Sequence, residues 1–211
     1  CWFNTVARLR NYCRRFGCSI FYSTHHYAFT YWIELFLMKN NNDPQHELAR
    51  ALALTLINRG WKIALAESCT GGLVCATLTD LAGSSDWLER GYITYSNASK
   101  SECLDVPVEA LESFGAVSEP VAKAMAEGAL RNSNVNAAIS ITGIAGPTGG
   151  SPEKPVGTVC FGWAIKEGIG IDVINTVTLT KHFKGDRQIV REQARDFALS
   201  QFLELLKPKN A

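Results

Sequence analysis

No run of apolar residues in this chain approaches the ~20 that a membrane-spanning helix requires. Neither sign of charge prevails: 21 basic residues face 20 acidic ones, so no global field recruits nucleic acid or an anionic membrane surface. Histidine is scarce, with four residues of which two are adjacent, and none of the seven cysteines stands in a CxxC pair. A structural zinc site and a small disulfide scaffold are therefore poor descriptions. What is present is a core: 46% of the 211 residues are hydrophobic and only 19% charged, which excludes a disordered chain. The expectation is a soluble, near-neutral protein of one ordinary domain plus an appendage, from a reducing compartment such as the cytoplasm.

Composition breaks at Met38. Residues 1–37 hold 11 of the 21 aromatics, three of the cysteines, four arginines and a single acidic residue, Glu34. They show neither helical nor alternating periodicity. An acid-poor targeting peptide and an aromatic membrane anchor both compete here, but polar residues interrupt the apolar ones and no small-residue cleavage site follows. The expectation is an upstream extension, not native to the protein, ahead of a start at Met38. Residues 38–211 then form the functional domain, with net charge −2.

Past that break the pattern alternates between helix and strand. Asp43-Pro44 caps and starts a helix whose stripe is Leu48, Ala51, Leu52, Thr55 and Leu56, ended by Gly60. Residues 61–66 read as a short buried strand, residues 70–82 as a helix and residues 91–97 as a second strand. Ser118-Glu119-Pro120 opens a helix to about Arg131. Three further strands follow, at 137–143, 157–165 and 171–180, the last two joined by a hairpin at Lys166-Glu167-Gly168. Asp186 caps a long final helix with Val190, Ala194, Phe197, Ala198, Phe202 and Leu205 on its buried side. The fold class is α/β: a layered α/β/α sandwich on a mixed sheet.

Three segments hold more than folding requires. Glu67-Ser68-Cys69-Thr70-Gly71-Gly72 joins a strand to a helix, a turn that lifts one side chain above the sheet edge and frees backbone N–H groups. Ser68 there is either a nucleophile, with the N–H groups of Cys69 to Gly71 as an oxyanion hole, or a helix cap. Cys69 is a minor thiolate candidate, and Cys75, Cys103 and Cys160 read as buried hydrophobes. No GxSxG elbow is present and neither His46 nor His182 has a place in a triad. In Tyr92-Ile93-Thr94-Tyr95-Ser96-Asn97-Ala98-Ser99-Lys100, alternation sets Tyr92 and Thr94 on one face, with Ile93 and Tyr95 on the other. Lys100, at the start of the next helix, can reach back to such a site or stay solvated. The third segment, residues 142–157, follows a buried strand with a run of glycines and prolines that suits presentation of backbone N–H groups to an anion or carboxamide.

ESCTGG, TYSNASK, TGIAGPTGG…KPVGT and GDRQIVREQA, in this order and spacing, resemble the CinA C-terminal (PncC) family from about Asp43 to Leu206. Thr148, where many relatives have glycine, is a small departure in the third loop. The resemblance implies an amidase that converts nicotinamide mononucleotide to the acid and releases ammonia. It implies no cofactor and no metal, because a carboxamide can be hydrolysed through an acyl-enzyme. It implies Ser68 as nucleophile with Tyr95 and Lys100 as activating partners, a serine–lysine substitute for serine–histidine.

Thr70, Gly71, Gly72, Asn97, Thr142, Gly143 and Gly146 are the candidates for holding substrate, and Arg187 for its phosphate. Arg187, Arg191 and Arg195 recur one turn apart, so a solvated ridge paired with Glu192 and Asp196 competes with phosphate binding. The implied partner is a pyridine mononucleotide, not nucleic acid or membrane, and a homo-oligomer is left open. The competing class is a non-catalytic regulatory or protein-binding module linked to competence or DNA damage.

Overall fold

A computed structural model describes residues 44–167 and 173–207 of the chain. The aromatic stretch 1–37, Asp43 and Gly168 lie outside the described residues. Residues 42–211 make up one compact unit, and the described fold belongs to it.

Six helices, one short 3₁₀ turn at Ser84–Asp86 and five strands are described. In chain order they are α1 (Pro44–Arg59), β1 (Ile63–Glu67), α2 (Leu73–Thr79), β2 (Leu88–Ile93), α3 (Asn97–Leu104), α4 (Val108–Phe114), α5 (Glu119–Arg131), β3 (Ala137–Gly143), β4 (Thr158–Glu167), β5 (Val173–His182) and α6 (Arg187–Leu205). The sheet order is β2-β1-β3-β4-β5. β2, β1 and β3 run parallel, while β4 and β5 are antiparallel additions. Helices α1, α2 and α6 cover one face, and α3, α4 and α5 the other. The expected three-layer sandwich on a mixed sheet is the observed architecture.

Central position explains the strand sequences. β1 is paired on both edges and covered on both faces, so all five of its residues are buried. On the α6 side, Phe161, Trp163, Phe183 and Phe197 form a ring cluster, and Trp163 Nε1 donates to the Ala198 carbonyl at 3.0 Å. On the other side Met125, Ala126 and Ala129 of α5 pack with Ala64 and Ala66 of β1 and Leu104 of α3. A Cβ at Gly128 would collide with the Leu104 carbonyl oxygen, so this glycine lets α5 hold α3 at close range.

Several boundaries differ from expectation. The buried face of α1 is Ala49, Leu52, Ala53 and Leu56, and Ala51 is exposed; this helix packs on α6 and α2. α2 starts at Leu73, three residues later than Thr70, since the first turn is capped from elsewhere. β2 spans Leu88–Ile93 rather than 91–97. Ser96 is an N-cap, its hydroxyl accepting the Ser99 N–H at 3.1 Å, and α3 begins at Asn97. The final helix matches closely, with Asp186 accepting the Ile189 N–H at 3.0 Å.

Candidate active site

The chain leaves β1 for β2 on one side and then crosses to β3 on the other, so the crevice at the carboxyl ends of these strands is a topological switch point. Ser68 follows β1, Thr94 and Tyr95 follow β2, and the 144–157 loop follows β3. β5 ends and α6 begins at the same sheet edge, because β4 and β5 run antiparallel to their neighbours. All three segments singled out from the sequence therefore meet at one edge.

Register sets the side chains beside one another. Glu67 is paired with Ile93 on one side and Ile141 on the other, and the ladder continues through Ser68 N–H to Ile141 O at 2.9 Å and Thr94 N–H to Glu67 O at 2.8 Å. Thr94, Ser68 and Thr142 are thus a cross-strand row on the α3–α5 face. Thr142 Oγ1 donates to the Ala116 carbonyl at 2.8 Å, so this hydroxyl also serves the fold.

Lys100 enters the row from α3. Its Nζ lies 3.0 Å from Ser68 Oγ, 2.8 Å from the Thr94 carbonyl and 3.4 Å from the Tyr95 carbonyl. The residue is only 1% exposed, and desolvation pushes its pKa below the ordinary lysine value. No carboxylate is among its hydrogen-bond partners in the described residues. A neutral amine has two N–H donors and one lone pair. The two carbonyls can take the donors, leaving the lone pair for the Ser68 hydroxyl proton. Burial in a site where no carboxylate reaches it, among the described residues, is the physical source of the lowered pKa.

Tyr95 is 62% exposed, its carbonyl faces Lys100, and its hydroxyl accepts from Arg187 Nη2 at 3.1 Å. Arg187 Nη1 also donates to the Gly146 carbonyl at 2.9 Å, tying the β2 and β3 loops to α6. Arg191 Nη2 donates to the Thr70 carbonyl at 2.7 Å, while Arg195 is buried and donates through Nε to Asp196. Arg187 is exposed yet bonded to two loops, Arg191 is half-buried against Thr70, and Arg195 is buried but keeps the expected Asp196 pairing, so the row is only in part a solvated ridge. Arg187 and Arg191 line a cavity of about 360 Å³ with Leu73, Gln188 and Glu192.

Glu67 has a role that sequence reasoning missed. Its carboxylate is 1% exposed and accepts N–H bonds from Gly72 at 2.9 Å, Val74 at 3.2 Å and Cys75 at 2.8 Å. The start of α2 is thereby capped by the residue preceding the nucleophile candidate, with Gly72 at φ 92° making the turn. Gly71 N–H donates to the Ser68 carbonyl at 3.1 Å. Of the three N–H groups expected in an oxyanion hole, that of Thr70 has no acceptor among the described residues and that of Cys69 meets only its own thiol. The Cys69 thiol, buried, is pushed up to about 12, so it is no thiolate at neutral pH.

Gly143 is packed against Val159 and Thr158, where a Cβ would clash, and Asn97 is exposed in the first turn of α3. The Thr70 and Thr94 hydroxyls are buried with no hydrogen-bond partner among the described residues. An unpaired buried hydroxyl costs about 1–3 kcal/mol, so each is informative. His46 lies 3.6 Å from Asp80, between α1 and α2, outside the row.

The profile of the CinA C-terminal domain matches residues 45–206. The chain belongs to the CinA C-terminal domain family. It is 50% identical over 154 residues, 73% of this chain and 90% of the relative, to a protein of Enterobacter agglomerans named nicotinamide-nucleotide amidohydrolase PncC. It is 49% identical over 162 residues to the protein of the same name from Escherichia coli K12, covering 75% of this chain and 94% of that one. The crystal structure of competence damage-inducible protein A (ComA) from Klebsiella pneumoniae superposes with a TM-score of 0.73 at 35% identity, over 80% of this chain and all of the other. The motifs of this CinA C-terminal domain are thus the ones that converge on the carboxyl edge of its parallel strands.

Proposed function

We propose that this chain hydrolyses the carboxamide of nicotinamide mononucleotide to the carboxylic acid and ammonia, in the cytoplasm, through an acyl-enzyme on Ser68. One observation carries the reading beyond the family relationship: a buried lysine amine, with no carboxylate partner among the described residues, stands 3.0 Å from a serine hydroxyl. A non-catalytic module has no use for that costly arrangement.

Lys100 takes the Ser68 proton as Oγ attacks the carboxamide carbon. The N–H groups of Cys69 and Thr70 receive the oxyanion, held in place because Glu67 fixes the turn that follows. Lys100 returns its proton to the leaving nitrogen, ammonia departs, and water then cleaves the Ser68 ester. Tyr95, held by Arg187, forms the exposed wall where the substrate enters. The phosphate occupies the cavity between Arg187 and Arg191. Each guanidinium carries five N–H donors and spends only part of them on Gly146, Tyr95 and Thr70. Thr70, Gly71, Gly72, Asn97, Thr142, Gly143 and Gly146 border the bound nucleotide, Gly143 by permitting close packing.

The test is ammonia release by the purified chain, offered the mononucleotide or free nicotinamide. Turnover of the mononucleotide with little on the free base is expected. Absence of ammonia from both would sink the reading.

A further inference from the structure

We propose that Thr94 seats the water that hydrolyses the acyl-enzyme, its hydroxyl accepting one hydrogen of that water while Lys100 accepts the other. This deepens the amidase reading and rests on it.

The row across β2, β1 and β3 places Thr94 beside Ser68, and the Lys100 amine touches both residues, at the Thr94 carbonyl and at Ser68 Oγ. Four serines and threonines share this face of the three strands near their carboxyl ends. Ser140 donates to the Ala122 carbonyl, Thr142 to the Ala116 carbonyl, and Ser68 is bonded to Lys100. The Thr94 hydroxyl alone of the four has no partner among the described residues, although the residue is only 1% exposed. Folding gains nothing from it: valine has the same shape and leaves no buried polar atom unsatisfied. A hydroxyl retained at a cost to stability, next to the nucleophile and its base, has its partner in the reaction cycle.

Ser68 Oγ is already esterified when water attacks, so Lys100 must turn from the serine to the water. A buried water needs at least two polar partners to be held, and Lys100 Nζ and the buried Thr94 Oγ1 belong to two residues that neighbour Ser68, one by hydrogen bond and one by strand register. In the step, the water oxygen forms a bond to the acyl carbon and one of its protons passes to the Lys100 amine. The second hydrogen stays bonded to Thr94 Oγ1, which points the oxygen lone pair at the carbon. The carbon–Oγ bond then breaks, Ser68 regains the proton from the Lys100 ammonium, and the acid leaves.

The experiment compares the full chain with Thr94→Val and Thr94→Ser, following ammonia by rapid quench on the mononucleotide and the intact mass of the enzyme. Thr94→Val is expected to release about one ammonia per chain in a burst, then to turn over roughly a hundredfold more slowly, with the acyl group retained on Ser68. Thr94→Ser should restore steady turnover, and the melting temperature of Thr94→Val should equal or exceed that of the parent. Parent-like turnover in Thr94→Val overturns the proposal, and so does loss of the burst together with turnover. If the parent chain itself releases no ammonia, the amidase reading fails first and takes this proposal with it.

Discussion

Lys100 Nζ and Ser68 Oγ stand 3.0 Å apart although 32 residues separate them in sequence. The contact exists because parallel β1 and β2 end at the same edge and Ser96 turns the chain at once into α3, which carries Lys100 back over Ser68. The topology of the sheet thus brings the proposed nucleophile and its proposed base together.

Ser68→Ala should abolish turnover, by several orders of magnitude, while binding and melting temperature change little, because a single hydroxyl is lost. Cys69→Ala should retain most activity, since a thiol pushed up to about 12 is protonated at neutral pH. Steady-state kinetics on both variants checks this. Loss in the cysteine variant and retention in the serine variant would exchange the two roles.

Burial lowers the Lys100 pKa below the ordinary 10.5 of the unfolded chain. Between the two values the unfolded chain binds more protons, so stability rises with pH across that window. The penalty is fully present below the folded-state value and gone above 10.5. Lys100→Met escapes it, so its melting temperature relative to the parent should fall as pH is raised through that window toward 10.5. A pH-independent difference would show that Lys100 is not strained by desolvation.

Glu67→Gln should destabilise the domain by about 2–4 kcal/mol, because an amide cannot accept all three N–H bonds that the carboxylate holds. The Ser68 turn loses its anchor, so kcat should drop more than KM rises. Urea unfolding and initial rates read the two effects separately. A variant as stable as the parent would remove the capping role.

Arg187→Ala should raise KM for the mononucleotide at least about tenfold, which corresponds to roughly 1.4 kcal/mol, and should weaken inhibition by inorganic phosphate. An unchanged KM would place the phosphate elsewhere.

Removal of residues 1–37 should leave activity and melting temperature unchanged, since α1 already buries Ala49, Leu52, Ala53 and Leu56 in the core. A large loss in calorimetry would mean that the aromatic stretch belongs to the native fold.

The strands were legible where burial on both faces leaves a largely apolar run, broken in β3 only by the small hydroxyls of Ser140 and Thr142, and α5 and α6 where Ser118 and Asp186 announce their starts. α4 was not, because Val108–Phe114 buries only Leu111 and has too short a stripe to register. Ser96 read as strand because its capping partner is a backbone N–H, invisible in a pattern of side chains. The same reason hid Glu67, although an acidic residue ending an apolar strand ahead of Gly-Gly is a usable signal. Ser68 and Lys100 were legible through their motifs. The Arg187–Tyr95 bond and the docking of Arg191 on Thr70 join segments more than 90 residues apart, and no local pattern encodes them.

The dyad is tested most directly by the pH dependence of kcat/KM in the parent chain set beside the activity of Lys100→Arg. A lysine base predicts a rise through an apparent pKa well below 10.5 in the parent, and no measurable turnover in Lys100→Arg, because guanidinium keeps its proton at every working pH. Substantial turnover in Lys100→Arg would contradict the account and leave Lys100 as a charge that merely orders the Ser68 loop.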